Sequence, residues 1–347
     1  MLKLKDVTID RLMNKHQVMG LSVTLINHLH LTETKGYGIL SSETKRLVTS
    51  KSLFNTCSVS KFITALLTIK LSEMKLIDLD EDVNLKLTSW KISDNKLTRK
   101  QKVTPRLLLC HQSGIVDPEG SFREYKPIDG IHKISHILLG ETTYCKDPIV
   151  VSKLPGEEFS YSDAGYCVIQ QLIEDVIGVP FEMAVEKFIF KPLGIKNSVY
   201  ASTKSEINHK EYASGHDKYG ELISEESVFY PYPAAAGLWS TSSDLAMIVK
   251  EIMDSLKGYS KLGLSIEGAE EMISTQGSKD WAGLGVFLER EGERLELSSL
   301  GWGKGFQSMI VADPYAGSGA VILTNTDLGV HQMQGFIGEL YRDLTFS

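Results

Sequence analysis

Cysteine is scarce in this chain. The four present (Cys57, Cys110, Cys145 and Cys167) show no Cys-x-x-Cys pairing, so neither a disulfide framework nor a thiolate metal site is indicated, and free buried thiols are expected. Long apolar runs are missing too. No uninterrupted stretch approaches the roughly 20 residues that a membrane-crossing helix needs. The opening segment, "MLKLKDVTIDRLMNKHQ", lacks the apolar core and small-residue cleavage site of a secretory leader, which sets the expectation of a cytoplasmic protein. Charge of one sign is not concentrated anywhere: the net value is −7, with acidic and basic residues interspersed, which excludes a nucleic-acid footprint. There is no internal repeat and no low-complexity tract.

What is present describes a soluble globular protein, with 42% hydrophobic and 23% charged residues in 347. That length suits one large domain or two intimately packed ones. The first segment reads as an amphipathic helix with Val7, Ile9, Leu12 and Met13 on its apolar side. "GLSVTLINHLHLTETKGYGIL" reads as two strands around a turn near Asn27–His28. The glycine- and proline-free run from Phe62 to Leu76 is a buried helix. Helical segments then dominate from about 80 to 235, among them "VTPRLLLCHQSG", "AGYCVIQQLIEDVIG" and "FEMAVEKFIFKPLG", the last two closing on glycine. "SSDLAMIVKEIMDSL" is a further helix with Ser242, Ser243 or Asp244 as its cap.

Strands return in "GLGVFLERE", "RLELSSLG", "GFQSMIVADP" and "GSGAVILTNTD", before a closing helix in "HQMQGFIGELYRDL". The expectation is therefore an α+β fold. Residues 1–79 and 236–347 build an antiparallel sheet flanked by helices, and residues 80–235 form a mostly helical insertion.

Chemistry enters at "FNTCSVSKFITALLTIKL". Ser58 precedes Lys61 by three residues at the head of the buried helix, a spacing that places both on one helical face. A serine hydroxyl needs a neighbouring base to become a nucleophile, and helix-terminal N–H groups favour developing negative charge. The spacing alone decides nothing, because Ser42/Lys45, Ser72/Lys75 and Ser93/Lys96 share it. A capping serine with a solvated lysine is the plain alternative. Cys57, next to Ser58, is a rival nucleophile without an evident histidine partner.

The longer string, followed by "MKLIDLDEDV", resembles the nucleophile segment of the serine β-lactamase-related hydrolases, which include class C β-lactamases, DD-peptidases, D-aminopeptidases and β-lactamase-like esterases. "VTPRLLLCHQSGI", "PGEEFSYSDAGYCVIQQLIEDVIG", "KPLGI", "AAAGLWSTSSDLAMIV" and "GWGKGFQSMIVADP" resemble further landmarks of that family in the same order. The resemblance implies a β-lactamase/transpeptidase-like fold and an acyl-enzyme on Ser58, with Lys61 and Tyr161 sharing proton transfer. It also implies an oxyanion hole from the backbone N–H groups of Ser58 and Trp302, a device worth roughly 3–4 kcal/mol per donor. No cofactor or metal is called for, and the implied partner is a small ester, amide or peptide, with weak β-lactam hydrolysis in addition and no nucleic acid or membrane; a D-amino-acid-directed peptidase, a β-lactamase proper and a catalytically degenerate binding protein are the alternatives.

Two positions depart from the family pattern. The Tyr-x-Asn motif is here Tyr161-Ser162-Asp163, and an ionised Asp163 accepts hydrogen bonds but cannot donate them. Near Lys61 it would hold the ammonium charged, which shifts the base role towards Tyr161 or suits an amine-bearing substrate. Register from Gly301 and Gly305 puts Ser299 where the family has Lys or His, and the lost positive charge weakens the hold on a substrate carboxylate. Asp163, Ser299 and Gly301 are thus the expected substrate-binding positions. His111 reads as a structural loop residue, His132 and His136 as an i,i+4 pair on a helix face, and Tyr230 and Tyr232 as either packing or cleft residues.

Overall fold

The computed structural model describes residues 1–345. A six-stranded antiparallel sheet is assembled from the two ends of the chain. Its strands are β1 (Gly20–Asn27), β2 (His30–Gly38), β6 (Phe287–Glu291), β7 (Arg294–Gly303), β8 (Phe306–Asp313) and β9 (Ser318–Thr324), in the order β2-β1-β9-β8-β7-β6. A second, three-stranded sheet joins β3 (Phe54–Asn55), β4 (Val199–Tyr200) and β5 (Leu238–Ser240) in the order β3-β5-β4. Mixed helix and antiparallel sheet make the fold α+β, as expected.

The period of two along β1 divides the interior. Leu21, Val23 and Leu25 join Met309, Val311 and Ile322 in a cluster covered by the terminal helices α1 (Asp6–His16) and α5 (Phe336–Thr345). The alternate residues Ser22 and Thr24 face the other way. Both hydroxyls meet Ser242 Oγ at 2.8 Å, at the start of α4 (Ser242–Ser255). The cap of α4 is Thr241, whose hydroxyl accepts from Asp244 N at 3.1 Å, one residue before the expected cap positions. Val7, placed on the apolar side of α1 by periodicity, is 83% exposed: α1 buries only Ile9, Leu12 and Met13 against its single neighbouring layer.

On the far side of the sheet lies the main core, threaded by α2 (Ser60–Glu73). Every residue of α2 from Ser60 to Ile69 is buried, the mark of a helix surrounded by protein. The expected helix to Leu76 stops at Glu73, and Lys75 turns the chain with a φ of 59°. α3 (Asp163–Ile177) packs against α2, begins at an N-cap made by Ser162 and ends at Gly178 with a φ of 75°. His132 precedes the helix Ile134–Leu138 instead of lying on it, so His132 and His136 do not share a helix face. Among the described residues, no helix is long and apolar enough to cross a membrane.

Two features aim this scaffold at one point. β6 pairs with β7 only as far as Ser298, so the edge of β7 from Ser299 to Gly303 is free of β6 and packs on the turn that leads into α2. Gly301 permits this approach: a Cβ there would stand 2.1 Å from Thr56 O and 2.3 Å from Ser308 Oγ. Gly301→Ala must therefore push β7 off the turn. It is expected to cost about 1–3 kcal/mol, the usual range for overpacking, read as a lower denaturant midpoint at unchanged m.

Candidate active site

Ser58 sits in a single 3-10 turn, Cys57–Val59, immediately ahead of α2. The turn is forced. Cys57 has a φ of 50°, unfavourable for a side chain bearing Cβ, and is held there by Asn55, whose Oδ1 accepts from Cys57 N at 2.7 Å. Ser60 Oγ donates to Cys57 O at 2.7 Å and accepts from Leu238 N at 3.0 Å, tying the turn to β5. Cys57 itself is buried, and burial, with a smaller push from Asp327, raises its thiol pKa. The thiol is thus kept protonated and away from solvent.

Lys61 follows one turn later and is 3% exposed. Its Nζ donates to Asp163 Oδ1 at 2.5 Å, to Ala235 O at 2.9 Å and, at the longer distance of 3.4 Å, to Ser58 Oγ. Ala235 lies in the short helix Pro233–Ala236, whose terminal carbonyls have no intrahelical partner and turn towards α2. The other three Ser-x-x-Lys pairs have exposed lysines. Burial pulls the Lys61 pKa down, but the charge and hydrogen bond of Asp163, with a contribution from Tyr161, outweigh it and hold the ammonium above the usual lysine range.

Tyr161 closes the third side. The ammonium stands 4.9 Å from its ring centroid. Tyr161 is 43% exposed overall; burial raises its phenol pKa, the charge of Lys61 lowers it and that of Asp163 raises it. Both candidate bases thus rest in their protonated forms.

Ser299 is buried and lines the same small cavity as Ser58, Lys61, Tyr161, His111 and Phe159, so no cation stands on this stretch of β7. That cavity holds about 20 Å³, enough for one small group. Trp302, next along β7, is 44% exposed, and its indole donates to Asp327 at 2.7 Å. Tyr230 and Tyr232 are buried packing residues: Tyr230 Oη accepts from Lys304 N at 3.1 Å, and the Tyr232 hydroxyl donates to Arg123 O. A larger groove of about 730 Å³, on α3 around Glu174 and Pro180, contains none of the residues that meet at Ser58. Among the described residues, no group of three or more His, Cys, Asp or Glu side chains is arranged to hold a metal ion.

Sequence reasoning did not single out Asp117, Ala235 or Phe159. Asp117 follows "HQSGIV" in the loop that begins at His111, the one signal that could have drawn attention to it.

Comparisons with known proteins bear on the family and the fold. Residues 6–335 match the family model Beta-lactamase. The chain belongs to the beta-lactamase family. Protein flp of Staphylococcus aureus (strain NCTC 8325 / PS 47) is 23% identical over an alignment of 334 residues that covers 92% of this chain and 62% of that protein. The chain thus spans less than two thirds of the length of these curated relatives. Esterase EstB of Burkholderia gladioli is 24% identical over 338 residues, covering 90% of this chain and 80% of that one. Two solved structures share the fold. The octameric penicillin-binding protein homologue from Pyrococcus abyssi has a TM-score of 0.79 at 24% identity, covering 97% of this chain and 76% of its own. A class C beta-lactamase mutant has a TM-score of 0.76 at 20% identity, covering 99% and 96%.

The balance on Lys61 gives a direct expectation. Asp163→Asn removes the largest influence holding the ammonium protonated and leaves burial in control, so the Lys61 pKa should fall below the usual lysine range. NMR titration of labelled lysine Nζ would show this, and a resonance still titrating above the ordinary range would contradict it. While Lys61 stays charged, the variant should lose roughly 3 kcal/mol of stability, the low end for a broken buried pair because Asp163 is partly exposed.

Proposed function

We propose that this chain is a serine hydrolase that opens small esters, amides or peptides through an acyl-enzyme on Ser58, with uncharged esters favoured. The observation that carries the reading is the convergence of Ser58, Lys61 and Tyr161 at the head of a fully buried helix, facing the free edge of β7. Ser58 Oγ would attack the substrate carbonyl, its proton passing to the Tyr161–Lys61 pair and on to the leaving group as the scissile bond breaks. The N–H groups of Ser58 and Trp302 would stabilise the developing oxyanion. Water, activated by the same pair, would release the acyl group and restore Ser58.

Resting protonation favours Tyr161 as the group that takes the Ser58 proton. Asp163 keeps Lys61 charged, and that charge stabilises a phenolate. Charge also sets the substrate preference. Asp163 neutralises Lys61, and Ser299 supplies no cation, so nothing in the cavity favours a carboxylate-bearing β-lactam. The alternative of an amine-bearing peptide anchored by Asp163 is disfavoured, because that carboxylate is already engaged at 2.5 Å. The esterase named among the relatives supports the same preference.

Incubation with p-nitrophenyl esters, a chromogenic cephalosporin and a fluorescent penicillin tests the reading. Ester turnover that disappears in Ser58→Ala, with little cephalosporin hydrolysis, is the expected result. Absence of both turnover and covalent label on Ser58 would leave a binding protein. Ser299→Lys should raise acylation by the penicillin about 10- to 100-fold, the effect of one added hydrogen bond to a charged group. An unchanged rate in a folded variant would remove the charge argument.

A further inference from the structure

We infer that Asp117, acting with His111, is the positioning residue of this site: a carboxylate on a neighbouring loop that fixes where Tyr161 and Asp163 stand. The inference rests on the hydrolase reading above and concerns residues outside the expected machinery.

The segment Ser160–Ala164 carries both site residues and is bound to the loop 111–117 by five hydrogen bonds. Ser160 N donates to His111 O at 2.8 Å, and Ser162 N donates to His111 Nδ1 at 3.1 Å. Asp117 accepts from Ser162 Oγ at 2.6 Å, Asp163 N at 2.8 Å and Ala164 N at 3.1 Å. The His111 ring also stacks on Tyr161, with centroids 4.3 Å apart and planes 27° apart. Tyr161 is thus held from behind by a ring and on its C-terminal side by a carboxylate.

This exceeds what the helix requires for its own start. Ser162 already caps α3, accepting from Gly165 N at 2.9 Å. Asp117 adds a second anchor on two further orphan N–H groups, where negative charge is favoured, and it comes from a different loop. That loop is itself fixed: His111 and Gly114 both have left-handed backbone, with φ of 58° and 76°, and a Cβ at Gly114 would stand 2.1 Å from Lys153 O. Burial and the neighbouring Lys61 hold the His111 pKa well below its usual range, which keeps Nδ1 free to accept. The clamp sets the angle at which Tyr161 meets Ser58 and Asp163 meets Lys61, and an error near 1 Å in such geometry costs on the order of 100-fold in rate.

The test compares Asp117→Ala and Asp117→Asn with wild type on p-nitrophenyl acetate. Asn preserves the shape and one acceptor. Expected is a fall in kcat of about 100-fold for the Ala variant, with KM changed less than threefold and most of the loss recovered in the Asn variant. A second readout needs no turnover. In 15N-labelled wild-type protein, His111 should show an unprotonated Nδ1 and a protonated Nε2 that do not titrate between about pH 5 and 8. In Asp117→Ala the ring, still facing Lys61, Tyr161 and Tyr166, should titrate or broaden. A kcat within threefold of wild type in the Ala variant, a loss confined to KM, or an unchanged His111 signal would overturn the clamp. Absence of Ser58-dependent turnover in wild type would instead overturn the hydrolase reading, and the His111 signal would still decide the clamp.

Discussion

A buried ammonium is among the most demanding groups a fold can contain, because its desolvation costs several kcal/mol unless its donors and its charge are both met. Lys61 has three N–H donors and three acceptors: a carboxylate, a helix-end carbonyl and the Ser58 hydroxyl. The partners come from the start of α3, the short helix Pro233–Ala236 and the turn before α2. One side chain therefore fixes the mutual placement of three elements far apart in sequence. The apolar packing around α2 supplies most of the burial, and the ammonium adds directional bonds to these three neighbours.

The same pair sets the electrical character of the cleft. Lys61 and Asp163 cancel. Lys304, beyond the free edge of β7, is 3.3 Å from Glu124, and Ser299 is neutral. In the proposed acylation the developing oxyanion would be met by backbone N–H dipoles, which carry no net charge and do not select for an acidic substrate. The proposed preference for neutral acyl groups follows from this cancellation.

Much of this could be read in the chain beforehand, and the boundary has a physical origin. Period-two alternation placed β1 and β2, and the unbroken apolar run from Phe62 disclosed α2, because both patterns arise from burial on fixed faces. Val7 misled, since an apolar residue at the right period still stays exposed when no second layer covers it. The roles assigned to Tyr161, Asp163 and Trp302 came from resemblance in motif order; no local spacing relates Lys61 to a carboxylate 102 residues away. Asp117 and Ala235 were illegible for a different reason. Asp117 accepts mostly from backbone N–H groups 46 and 47 residues away, and Ala235 acts through its own carbonyl, so neither contact shows in local spacing.

Backbone strain shows how the site is made rigid. The turn that carries Ser58 and the loop that braces Tyr161 both start from a non-glycine residue in left-handed conformation, Cys57 before Ser58 and His111 at the head of the Asp117 loop. Each costs about 1–3 kcal/mol in isolation, and each is over-determined locally: Asn55 holds Cys57 N, and Ser160 N holds His111 O. A residue forced into a sparsely populated conformation has few alternatives to relax into without breaking those bonds. Ser58 is thereby held on one fixed turn and Tyr161 against a second fixed loop, and Lys61 lies between them. Preorganisation here resides in the turns, with the helices serving as their abutments.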